Sequence, residues 1–169
     1  MKKFKQILIF SITIFLINFP AHFIYDWIPN ILIKCFFPIN ESIFEHIKMI
    51  FTSFFIFYLI LYIFRKKNNL KNIFVANLFS STICIFIFLL IYLPLYITIG
   101  ENLPVTITLL FLCILFSQLI TYIIFKLPLQ DILNKAAFFI ILIILSLNAY
   151  LTFNPSENPL FIVPFVISK

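Results

Sequence analysis

This chain should fold as an all-α, polytopic membrane helix bundle, with five transmembrane helices in a single domain over residues 1–169. Its amino terminus should lie inside and its carboxyl terminus outside. Of its residues 63% are hydrophobic and 11% charged, with a mean hydropathy of +1.15, whereas soluble chains carry about 25% charged residues. The apolar residues also gather into runs of about 20, the helical length that crosses a hydrocarbon core roughly 30 Å thick. The short connections between runs leave no room for a soluble domain.

The first span, about 4–24, follows Lys2, Lys3 and Lys5. It reads as a retained anchor and not a cleaved leader, because its exit NFPAHFIYDW has no small-x-small cleavage site. Pro20 would kink a helix that continued through it. Tyr25 and Trp27 then form an interfacial aromatic anchor, and Pro29 and Asn30 open a connection that Pro38 closes. The second span, about 43–64, stops at the basic cluster RKKNNLK, residues 65–71. The third, about 73–93, gives way to the loop PLYITIGENLP. The fourth, about 105–125, ends at KLPLQDILNK, and the fifth covers about 136–153. The tail NPSENPLFIVPFVISK, with three prolines, is too short and broken to cross again.

Basic residues decide the orientation. Nine of the twelve Lys and Arg (Lys2, Lys3, Lys5, Arg65, Lys66, Lys67, Lys71, Lys126 and Lys135) fall on the side of the amino terminus, against Lys34, Lys48 and Lys169 on the other. The excess belongs on the cytoplasmic side. Asp26, Glu41, Glu45, Glu101 and Glu157 then collect on the outer side with both histidines, and only Asp131 lies inside. Acids play little part in setting orientation, so this clustering is independent information and points to the outer rim as the place for binding or chemistry.

Several function classes drop out. One glycine, Gly100, cannot build a phosphate-cradling loop or a dinucleotide fingerprint. Cys35, Cys84 and Cys113 offer neither a disulfide framework nor a CxxC knuckle. The net charge of +6 sits on the flanks of apolar runs, so the partner is the lipid bilayer and not nucleic acid. The bias toward Phe, Ile, Leu, Lys and Asn suggests an AT-rich bacterial genome, hence a bacterial plasma membrane.

The remaining polar density lies in PINESIFEHIK, residues 38–48. A helix starting near Asn40 would put Glu41, Glu45, Lys48 and Thr52 on one face at ~100° per residue, with His46 one step round. His22 and Asp26, four apart on the first span, share a face and can reach the same depth. The candidate polar pocket is therefore His22, Asp26, Asn40, Glu41, Glu45, His46 and Lys48. Within it His22, Glu45 and His46 are the expected ligands of a divalent metal such as zinc, since imidazole and carboxylate are its usual donors. Asn148 and Asn154, near the outer end of the fifth span, could line the same pocket. The plainer reading is a capping box, with Ser42 and Glu45 satisfying free backbone N–H groups, Glu45 pairing with Lys48 three residues on, and Lys48 also able to reach the interface. Asn77, Ser80, Ser81, Thr82, Ser117, Gln118 and Thr121 read as interhelical hydrogen-bond groups, with a polar pathway as the alternative.

HFIYDW at 22–27, FPINESIFEHIK at 37–48 and TFNPSENPLFIVP at 152–164 together resemble the small membrane proteins of low-GC Gram-positive bacteria called domain of unknown function 6512. The resemblance implies that Asn40, Glu41, Ser42, Glu45, His46 and Lys48, with His22 and Pro155, are signature positions; it brings no activity with it. Phe44 stands where the resemblance leads one to expect Trp, and the chain ends in FVISK. Three functions fit: an outward-facing His/Glu pocket for a cation or lipid headgroup, a membrane-embedded hydrolase using metal or acid/base catalysis, or a structural subunit in which the motif only caps the second span.

Overall fold

A computed structural model describes residues 2–64, 70–100, 102–157 and 159–161. Among them are six helices and no strand: α1 (Lys2–Trp27), α2 (Ile31–Phe36), α3 (Ile43–Ile63), α4 (Ile73–Ile99), α5 (Leu103–Ile124) and α6 (Asp131–Phe153), followed by a short 3-10 turn, Pro159–Phe161. All except α2 are long and apolar enough to cross a membrane. Arg65, Lys66, Lys67, Glu101 and the end FVISK, which enter the charge and tail readings, lie outside the described residues.

Contacts between helix ends establish an alternating bundle. The carboxyl end of α1 meets the amino end of α3 through His22 and His46, and the carboxyl end of α6 meets the same region through Thr152 and Lys48. At the opposite end Tyr62 of α3 packs on Phe74 of α4, Phe74 packs on Phe138 of α6, and Phe10 of α1 approaches Phe125 just past α5. The chain thus crosses back and forth, and α3 and α4 form the central pair. Helix α4 also packs on α5 and α6, and α1 packs on α3 and α5.

Local chemistry accounts for the boundaries. Ser42, Asn30 and Asn102 each accept a backbone N–H three residues on, from Glu45, Ile33 and Val105, and so start α3, α2 and α5. Asn134 of α6 caps α4 from outside it, its Oδ1 accepting from Phe74 N (2.9 Å) and Val75 N (3.4 Å). Asn72, at φ 56°, donates through Nδ2 to the carbonyls of Ile124 and Leu127 at the end of α5.

The sequence-based spans need three corrections. Helix α6 starts at Asp131 and not near Ala136. Helix α4 continues through Pro94 to Ile99 and does not end near Leu93. Proline removes one N–H, a loss a membrane helix tolerates when neighbouring helices support it; the stop comes at Gly100, where φ is +72°. The connection between the first two spans also contains α2, capped by Asn30 and too short to show as an apolar run.

The interior is apolar around Ile50, Phe54, Ala76, Ile114 and Ile141, yet carries a polar layer. Tyr58 Oη donates to Gln118 Oε1, hydrogen-bonds the Ser80 hydroxyl and contacts the Thr121 hydroxyl. The expected interhelical role of Ser80, Gln118 and Thr121 is therefore met. Ser81 and Ser117 bond back to their own helices, and Thr82 is exposed. Among the described residues, Thr52 Oγ1, Ser53 Oγ, Gln118 Nε2 and both amide atoms of Asn77 are buried without a hydrogen-bond partner.

Candidate functional site

The two histidines come from different helices and meet at one end of the bundle. Their ring centroids lie 5.3 Å apart, at 56° to one another. Between them comes Glu41, whose Oε2 lies 3.5 Å from His22 Nε2 and 3.4 Å from His46 Nε2. One donor atom from each of His22, Glu41 and His46 falls within 4.8 Å of the other two.

The carboxylate in this cluster is not the expected one. Helix α3 begins at Ile43, so Glu41 lies outside it and is freed from the helical register, while Glu45, inside the first turn, is turned into the bundle. The residues brought together are thus His22, Glu41 and His46, while Glu45, the carboxylate expected beside the two histidines, is buried in the bundle. Asn40 is exposed and its Oδ1 accepts from Ser42 N at 2.9 Å, taking the place that Glu45 would fill in a reciprocal capping box. Asp26 is exposed and does not join the cluster: four residues carry it ~6 Å along the α1 axis, past the level where Glu41 meets His22.

Hydrogen bonding orients His46. Its Nδ1 lies 2.9 Å from the Ser42 carbonyl oxygen, which can only accept, so Nδ1 carries the proton. In a neutral ring Nε2 then presents a lone pair toward the Glu41 carboxylate. Two acceptors face one another at 3.4 Å, an arrangement that only a proton or a cation between them makes favourable. His22 adds a third converging atom, and its Nδ1 is buried without a partner among the described residues.

Glu45 and Lys48 form a separate assembly beneath. Lys48 is fully buried, and its Nζ uses three protons on three acceptors: Glu45 Oε2 at 2.6 Å, Thr152 Oγ1 at 2.9 Å and the Lys34 carbonyl at 3.0 Å. Glu45 Oε2 also accepts from Ile39 N at 3.1 Å, and its Oε1 lies 3.3 Å from the Thr152 hydroxyl. Lys48 therefore does not reach the interface as a free cation; it joins α2, α3 and α6. Thr152 was not anticipated, and its only sequence signal is a lone hydroxyl one turn beyond Asn148. Asn148 is buried, its carbonyl accepting from Thr152 at 2.9 Å, whereas Asn154 is exposed and bonds back to Tyr150. Phe44 stacks on Phe161 at 4.5 Å, so the 3-10 turn folds back over the start of α3.

Five alternating apolar helices with ionisable side chains converging at one end define the class: a multi-pass helical membrane protein. The chain belongs to the family of unknown function DUF6512, which matches residues 1–165. No curated protein and no solved structure matches it.

Proposed function

We propose that this protein binds a divalent cation of the zinc class between His22, Glu41 and His46, at the end of the bundle facing away from the cytoplasm. The observation that carries this reading is the convergence of three acceptor atoms from α1, the following connection and α3 within 4.8 Å. Two imidazoles and one carboxylate suit zinc, and three protein ligands leave a further position for water or an anionic headgroup. Helix capping accounts for Ser42 and Asn40 but gives no reason for His22 to approach from another helix.

Binding is favoured over hydrolysis by the state of Glu45. A metal hydrolase needs a nearby base to take a proton from the bound water. Glu45 is instead engaged by Lys48, the Ile39 N–H and Thr152.

The test is elemental analysis of the full chain, purified in detergent, loaded with zinc and dialysed. About one zinc per chain is expected in the wild type, and much less in His22→Ala, Glu41→Gln and His46→Ala, by the loss of a direct ligand. Stoichiometric zinc in all three variants, or none in the wild type, would overturn the reading. The orientation is tested separately with a reporter fused to the amino terminus, active only in the cytoplasm; an inactive reporter on folded protein would reverse it.

A further inference from the structure

At the end of the bundle opposite the histidines, a cleft of about 830 Å³ opens between α3, α6 and the segment leading into α4. We propose that this cleft is a binding site for one anionic diacyl phospholipid. The volume lies within the ~300–1,000 Å³ range of ligand pockets. What identifies the ligand is the order of the lining along the bundle axis.

At the mouth are Lys71, just before α4, and Lys135, in the second turn of α6; both are exposed. Asp131 also lines the mouth and pairs with Lys135 at 3.0 Å, so among the described lining residues two lysines against one aspartate leave a net positive charge. Leu70 and Leu129 flank these charged residues, and the apolar walls run from Tyr62, one residue from the end of α3, to Leu59, Phe138 and Phe139 farther along the axis. Leu59 is four residues inside the end of α3, ~6 Å along its axis, and Phe139 is eight residues into α6, ~12 Å along its axis. Leu59 and Phe139 are exposed on the bundle flank, so the apolar part of the cleft opens sideways onto the hydrocarbon.

A cationic mouth at the helix ends above an aromatic and aliphatic groove reproduces the polarity profile of a phospholipid standing in its leaflet. Basic pockets between membrane helices hold anionic headgroups in this way. A soluble anion would use the lysines and leave the groove uncovered. A helix from a second copy would cover the groove and leave the lysines opposite no charge. The cap of α4 does not compete for the ligand, since Asn134 Oδ1 already takes the Phe74 and Val75 N–H groups.

Native mass spectrometry of the full chain in detergent provides the test, with phosphatidylglycerol, phosphatidylcholine and glycerol 3-phosphate as probes. Phosphatidylglycerol should occupy one site about tenfold or more tighter than phosphatidylcholine, the scale of one or two lysines acting on a phosphate. The double variant Lys71→Gln, Lys135→Gln should erase most of that preference while helical circular dichroism is unchanged. Should that variant not fold, the wild type decides by salt dependence: raising NaCl from about 50 to about 500 mM should weaken phosphatidylglycerol selectively. Equal retention of the two lipids, competition by glycerol 3-phosphate at equal potency, or a dimer that excludes lipid would each overturn the proposal. So would a preference that neither the double variant nor salt changes.

Discussion

Glu41 Oε2 lies 3.4 Å from His46 Nε2, although Glu41 precedes the helix that carries His46. Glu45, in the first turn of that helix, faces the interior and holds Lys48 instead. The two acids of one short motif thus serve separate assemblies, one at the rim and one beneath it.

That division predicts opposite outcomes for two similar changes. Glu41→Gln should weaken zinc by at least about 100-fold, more than the roughly 10–100-fold seen when only an outer-shell partner of a ligand is lost. Glu45→Gln should stay within about threefold of the wild type, because Glu45 supplies no ligand. Competition against a chromophoric chelator measures both.

Zinc affinity should fall as the pH is lowered. The metal needs neutral imidazoles and an ionised carboxylate, so binding releases protons and acid drives the equilibrium toward the metal-free form. The same competition run between about pH 7.5 and about pH 5.5 should give a shallower slope for His46→Ala, which has one imidazole fewer to deprotonate.

Lys48→Met should cost about 3–5 kcal/mol, because it leaves the Glu45 charge buried without its counter-ion. Pairing it with Glu45→Leu should recover a large part of that loss, since removing both charges abolishes the unpaired one. Reversible unfolding in mixed micelles, analysed as a double-mutant cycle, checks this.

Tyr58→Phe removes one hydroxyl that Ser80, Gln118 and Thr121 share across three helices. The expected cost is about 1–3 kcal/mol, that of leaving buried polar partners unsatisfied. Thermal unfolding reads it directly, and zinc binding at the other end of the bundle should not change.

Asn134→Ala should destabilise the fold by about 1 kcal/mol, the usual worth of a helix cap. Hydrogen exchange at the Phe74 and Val75 amides should accelerate, because Asn134 Oδ1 accepts from both.

The membrane-spanning helices were legible because each needs only a long apolar run, a local property of the chain. Pro94 misled because a proline is read as a stop, whereas α4 runs through it at the loss of one backbone N–H. Helix α2 is too short to register as a run, although Asn30 before ILIK carries a cap signal. The meeting of His22 with His46 was foreseeable from a short connection between two spans. The choice between Glu41 and Glu45 turned on where α3 starts, and the S-x-x-E pattern at Ser42 already placed Glu41 outside the helix. Thr152 and the basic cleft could not be read, since each is assembled from segments far apart in sequence.

The pairing of Lys48 with Glu45 also bears on how the protein enters its bilayer. A lone ammonium raises the insertion free energy by roughly 2.5–3.5 kcal/mol at the centre of a membrane helix and by less toward its end, where Lys48 stands. Here the opposite charge sits three residues away on the same helix, so neutralisation needs no other part of the chain. Helix α3 can leave the ribosome and partition into lipid as an electrically silent segment, well before Thr152 has been synthesised to complete the clasp.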